Sequence, residues 1–138
     1  MGVKDNLVNS GLFISQANAI MGGVAGVDGS AVTQITNRAT GVTPLPAGRR
    51  SGMITTDNSS LAVEVSADFV VTTSEVSIAD VVVVCIRSGA VGVSTSVSVS
   101  TVTNGTFTIR VTNDNPAGGT AETGAIVINW LILKAAAS

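Results

Sequence analysis

The stretch SVSVSTVTNGTFTIRVTN, Ser96 to Asn113, decides the fold. Two runs in which Val, Phe or Ile alternate with Ser, Thr or Arg are joined by Asn104-Gly105, a dipeptide strongly associated with tight hairpin turns. Alternation with period two is the pattern of a strand with one face in a core and the other in water. A strict two-residue turn pairs Val102 with Phe107, Ser100 with Ile109 and Ser98 with Val111, which sets two serines on the apolar side of the second run. Slipping the pairing by one residue brings Val97 and Val99 onto the face of Phe107, Ile109 and Val111 instead. The sequence therefore predicts a bulge or a three-residue turn near Thr101 to Thr106, with Gly105 at positive φ. The opposite side of the ribbon is then Ser96, Ser98 and Ser100 beside Thr108 and Arg110, covered in hydroxyls and carrying one charge.

Outward from the hairpin, AVTQIT, SGMITT, LAVEVSADFVVTT, DVVVVCIRSG and GAIVINWLILK repeat the same chemistry. They are rich in Val, Ile and Thr and are punctuated by Gly, Asn, Asp, Ser and Pro. Seven or eight short strands of this kind predict an all-β fold, an antiparallel β-sandwich or jelly-roll-like barrel over residues 31–138. Pro44 and Pro46 exclude a central strand between the first two runs, and Arg49 and Arg50 mark a solvated loop. DVVVV and AIVINWLIL are apolar at both parities, so both faces of these strands are expected to be covered, either centrally or beneath another subunit. Val82, Val84, Phe107, Ile109, Ile128, Trp130 and Ile132 are the expected core or subunit interface. A buried Asn129 would need hydrogen-bond partners. The indole N–H of Trp130 is expected to find an acceptor. Cys85 reads as a small buried hydrophobe, with nothing nearby in sequence to stabilise a thiolate.

Residues 1–30 show no sustained period, although Leu12 to Met21 is compatible with a short helix. They read as an extended N-terminal arm whose Leu7, Val8, Leu12, Phe13, Ile14, Ile20 and Met21 need cover, on their own domain or on a partner. Asp5, Asn6, Asn9, Ser10 and Gln16 interrupt any signal-peptide core, and Asn6 stands where an N-myristoylation site wants Ser or Thr. Synthesis in the cytoplasm without a signal peptide is expected, and no run approaches the roughly 18 apolar residues of a membrane span.

Charged residues make up 12% of the 138-residue chain, with a net charge of −2, about half of the roughly 25% usual in soluble domains. Such a surface offers little repulsion between copies. Seven Lys and Arg, scattered from Lys4 to Lys134, form no row able to neutralise phosphates, so no nucleic-acid partner and no membrane partner are expected. With no His and no Tyr, and with a single Cys, histidine-based triads and His- or thiolate-bound metal sites are excluded. Glu64 and Asp68 share strand parity, but carboxylates at that spacing are common on solvated faces, and few aromatics exist to hold a sugar ring. NDNPAGGTAETG reads as a turn, since Pro116 breaks any calcium-loop pattern. No enzyme, cofactor or metal is expected; function should lie in surfaces.

QITNRATGVT (34–43), DVVVV (80–84), SG (88–89), GTFTIRVTN (105–113) and INWLILK (128–134) follow one another in an order that resembles a β-domain of tailed-phage virion proteins. It is similar to the domain of capsid decoration, or cement, proteins, which also occurs in head-fibre and tail-fibre modules. The resemblance spans roughly residues 31–134 and departs from the pattern at TPLPAGRRSG. It implies a homotrimer on the capsid exterior, held by its N-terminal arm and the underside of the β-domain, reinforcing joints between major capsid protein subunits. The alternative it implies is a phage fibre or spike module that binds host-surface glycan.

Overall fold

The computed structural model describes residues 35, 36, 38 and 41–135. The arm residues Leu7, Val8, Leu12, Phe13, Ile14, Ile20 and Met21 lie outside the described residues, as does the expected boundary near residue 30.

Eight strands follow in chain order: β1 (Ile35–Thr36), β2 (Val42–Pro44), β3 (Ser51–Thr56), β4 (Ser66–Thr72), β5 (Val81–Ser88), β6 (Thr95–Thr103), β7 (Thr106–Asn113) and β8 (Val127–Leu133). They form two four-stranded sheets, β1-β3-β8-β5 and β2-β4-β7-β6, which pack face to face as a β-sandwich. We call them the β8 sheet and the β7 sheet. The chain changes sheet at every connection except the β6–β7 hairpin. That alternation explains a feature the sequence does not predict. The short edge strands β1 and β2 run parallel to β3 and β4, because the intervening strand crosses to the other sheet and the chain returns in its original direction. All other pairings are antiparallel.

The hairpin carries the expected slip one residue earlier than predicted. Thr103, Val102 and Thr101 oppose Thr106, Phe107 and Thr108 around a two-residue turn, then the register shifts and Val99 opposes Ile109. Ser100 is the extra residue of a bulge. Gly105 has a φ of +84°, a region that costs L-residues about 1–2 kcal/mol and glycine nothing. The turn is docked as well as tight, since the Gly105 N–H donates to Val76 O at 3.0 Å and Thr73 N–H donates to Gly105 O at 2.9 Å.

Phe69, Val71, Phe107, Ile109 and Val111 project inward from the β7 sheet, and Ile54, Ile126, Ile128, Trp130 and Ile132 from the β8 side; all are buried. Val82 and Val84 are half-buried and pack against this core. The Phe107 and Trp130 rings meet tilted at 45° with centroids 6.4 Å apart. Gly52 makes room for the indole, because a Cβ there would come within 3.1 Å of Trp130 Cζ2. The expected acceptor for the indole is missing: Trp130 Nε1 is buried without a hydrogen-bond partner. Gly52 and Trp130 are directly opposed in the β3–β8 ladder, and carbonyls in that ladder are already committed to strand pairing.

Two further expectations are corrected at β5. Of the two positions expected for it, central or beneath another subunit, the first is ruled out: it is an edge strand, and within one copy only its inner side chains are covered, with Val81, Val83 and Cys85 alternating outward. Cys85 is exposed rather than a buried hydrophobe, because it shares parity with the valines that face away from the β7 sheet. The second such run, β8, is central as expected, between β3 and β5.

Candidate interaction surfaces

The outer face of the β7 sheet is the hydroxyl-covered surface foreseen from the hairpin. Ser96, Ser98, Ser100 and Arg110 are exposed, and Ser66 and Thr112 share a hydrogen bond at 2.9 Å. Arg110 grips Asp68 through two bonds of 2.8 Å. Those bonds hold the Asp68 carboxyl below the usual carboxylate range. The pair is solvent-exposed, where water and salt screen such bridges and little stability comes from them. Glu64 does not continue the strand as its parity suggested. It lies in the turn before β4 with a φ of +60°, so the two carboxylates do not form a matched pair on one strand.

The outer face of the β8 sheet is different. Residues opposed in an antiparallel ladder share a face, which places Met53, Asn129 and Cys85 in one row, Ser51, Leu131 and Val83 in the next, and Leu133 beside Val81. None of these side chains is charged. Val81 is 56% exposed, Val83 47% and Leu133 43%. A bulge displaces Arg87 at the end of β5, and its guanidinium reaches across β8 to the Met53 sulfur on β3.

At the end of the sandwich formed by the 57–61, 89–95 and 113–124 loops lies a buried polar cluster. Glu122 is fully buried. Its carboxylate accepts from the backbone N–H of Gly92 at 2.9 Å, Val91 at 3.1 Å and Gly124 at 2.7 Å, and from the Thr95 hydroxyl. Burial by itself would raise its pKa, but the bonds from Thr95, Gly92, Val91 and Gly124 outweigh that and lower it. Arg38 is also fully buried. It donates to the carbonyls of Gly124 at 2.6 Å, Asp57 at 2.8 Å and Glu122 at 3.4 Å, with Asp57 Oδ1 3.7 Å from its Nε. Asn113 completes the cluster by donating to Leu61 O and Thr120 O, each at 3.1 Å. Each of these donors is fixed in the fold, so the Glu122 carboxylate pins the loops together.

Sequence reasoning missed this cluster. The turn NDNPAGGTAETG is real, but the partners of Glu122 lie about thirty residues away at Val91, Gly92 and Thr95. The available signal was scarcity: in a chain with so few charges, Arg38 and Glu122 among Gly, Thr and Ala are unusual. Among the described residues no group of three or more His, Cys, Asp or Glu is placed to hold a metal ion.

Comparison with protein-family models, with curated proteins and with solved structures finds no match to this chain. Its function is therefore argued from these surfaces.

Proposed function

We propose that this chain is a structural virion protein, a homotrimeric decoration (cement) protein on the exterior of a tailed-phage capsid that stabilises contacts between major capsid protein subunits. The observation that carries the reading is the aliphatic patch of Val81, Val83 and Leu133 that a single copy leaves in water, on the sheet whose edge strand β1 is the first described element after the apolar leading segment. Apolar surface of this kind on a small domain marks contact with other macromolecules. Taken with the motif order that resembles decoration proteins, it supports a chain that works by covering its neighbours. Each contact need not be strong, since a trimer engages three sites together and gains by avidity.

The test is co-sedimentation of the purified chain with capsids lacking decoration, with and without residues 1–30. The full chain is expected to pellet with the shell and raise its melting temperature, and the shortened chain to remain folded in the supernatant. A full chain that stays in solution at every capsid concentration overturns the reading.

The hydroxyl-rich outer face of the β7 sheet favours a second reading, a fibre or spike module that binds host-surface glycan. Against it, the described aromatics Phe69, Phe107 and Trp130 are all buried, leaving none of them to stack on a sugar ring. Immunolabelling of virions separates the two, at the head shell for the first and at the tail tip for the second.

A further inference from the structure

β5 and β8 are apolar at both parities, and in one copy only one of their two faces is used. Val82, Val84, Ile128, Trp130 and Ile132 face the sandwich core, while Val81, Val83 and Leu133 are 56%, 47% and 43% exposed on the other side. We propose that the outer face of the β8 sheet is the surface by which copies of this chain pack against one another around a symmetry axis, with Asn129 at its centre. This inference deepens the homotrimer reading above and rests on it.

Three features select a second copy as the occupant. The first is charge. The rows through Leu131 and Leu133 carry no ionised group, and in the Asn129 row the Arg87 guanidinium is engaged on Met53, so copies that meet over Val81, Val83, Leu131 and Leu133 do so without placing like charges together. The second is Asn129. It lies in the middle of the face, opposed by Cys85 on one side and Met53 on the other, and its side chain makes no hydrogen bond among the described residues. A carboxamide carries donor and acceptor in one group. Copies related by symmetry can satisfy one another through it, as single polar residues do when they fix register and copy number in apolar contacts.

The third feature is the asymmetry of the two flanks of the sandwich. On one flank the edges are β1, two residues long, and β2, three residues long and ending in Pro44. Short strands and proline are how proteins blunt edges against unwanted pairing. On the other flank β5 presents eight residues, VVVVCIRS, with no proline or lysine. The open flank is continuous with the aliphatic face, so contact there is expected and not guarded against. Three strands of about seven residues offer on the order of 300–400 Å², less than the roughly 800 Å² per partner of a stable pair. A closed assembly in which each copy touches two others makes up the difference.

The single cysteine supplies the readout, because Cys85 neighbours Asn129 on this face and is exposed in one copy. The full-length protein is examined by light scattering and by the rate at which Cys85 reacts with an aromatic disulfide reagent. The expected result is a multi-copy mass with Cys85 reacting at least about tenfold slower than in unfolded protein. Val83→Glu is expected to give single copies with a fast thiol and an unchanged far-UV circular dichroism spectrum. Asn129→Asp, which places carboxylates together at the axis, is expected to do the same should Val83→Glu fold poorly. Ser98→Glu on the β7 sheet should change neither mass nor rate. A multi-copy protein with a freely reacting Cys85, a single-copy protein, or an assembly that survives both β8-sheet variants overturns the inference. Assembly through this face without capsid binding removes the decoration reading and leaves the interface standing. Capsid binding by multi-copy protein with a reactive Cys85 does the reverse.

Discussion

Glu122 shows how much a single side chain can organise in a chain short of charge. Its carboxylate gathers three backbone N–H groups and a hydroxyl from two loops, and removing the acceptor leaves those donors buried and unpaired. Glu122→Gln keeps the shape but turns an NH₂ toward groups that are themselves donors. It is expected to lower unfolding free energy by about 2–4 kcal/mol, read from urea midpoints with an unchanged slope. Asp80 is the second such anchor. Burial opposes its ionisation, but Lys134 and the N–H groups of Ala135 and Ser77 more than compensate and hold its carboxyl well below the usual range. A depressed folded-state pKa means stability that is present above the unfolded value and is lost as pH falls through the folded one. Wild type should therefore lose stability more steeply than Asp80→Asn between about pH 5 and pH 2, followed by thermal melts across that range. Neither anchor was legible in the sequence, where both residues sit in turn-forming stretches and nothing local says which turns meet. The indole of Trp130 failed in the opposite way. Its chemistry called for an acceptor, but close packing on Gly52 prevailed.

At the level of elements, the hairpin was the most readable part of the molecule, because period-two alternation on both strands over-determines the register. Its bulge is the physical resolution of a conflict between turn length and side-chain parity. Deleting Ser100 should remove the bulge while keeping Val97 and Val99 inward, and is expected to change stability by less than about 1 kcal/mol. Deleting Ser98 instead turns Val97 outward and Ser96 inward, and should cost about 2–4 kcal/mol. Equal effects in chemical denaturation would contradict the register. The strand inventory from β3 to β8 was legible for the same reason of alternation. The parallel edges were not, since two or three residues such as Ile35–Thr36 and Val42–Pro44 carry no usable period and owe their pairing to the path of the chain between sheets. The double-sided pattern of β5 reads as a demand for cover, which a single copy meets on one face only. Parity alone left two positions open, central or beneath another subunit, and the edge position of β5 removes the first.

For the molecule as a whole, the core among the described residues runs from Leu45 to Ile132 and joins both sheets. Removing residues 1–30 is accordingly expected to leave the denaturation midpoint within about 0.5 kcal/mol of the full chain, as measured by urea unfolding. A large loss would make that segment part of the fold and would remove the case for its working on a neighbour. The leading segment joins the domain at β1, two residues before Arg38, and this has a mechanical consequence. Tension arriving along the chain from the N-terminal side would load the two-residue β1–β3 pairing first and, two residues later, a guanidinium moored to three carbonyls on two loops, that of Asp57 and those of Glu122 and Gly124. Rupture of that thinnest strand would then halt at Arg38, where the load passes to the loops that follow β3 and precede β8.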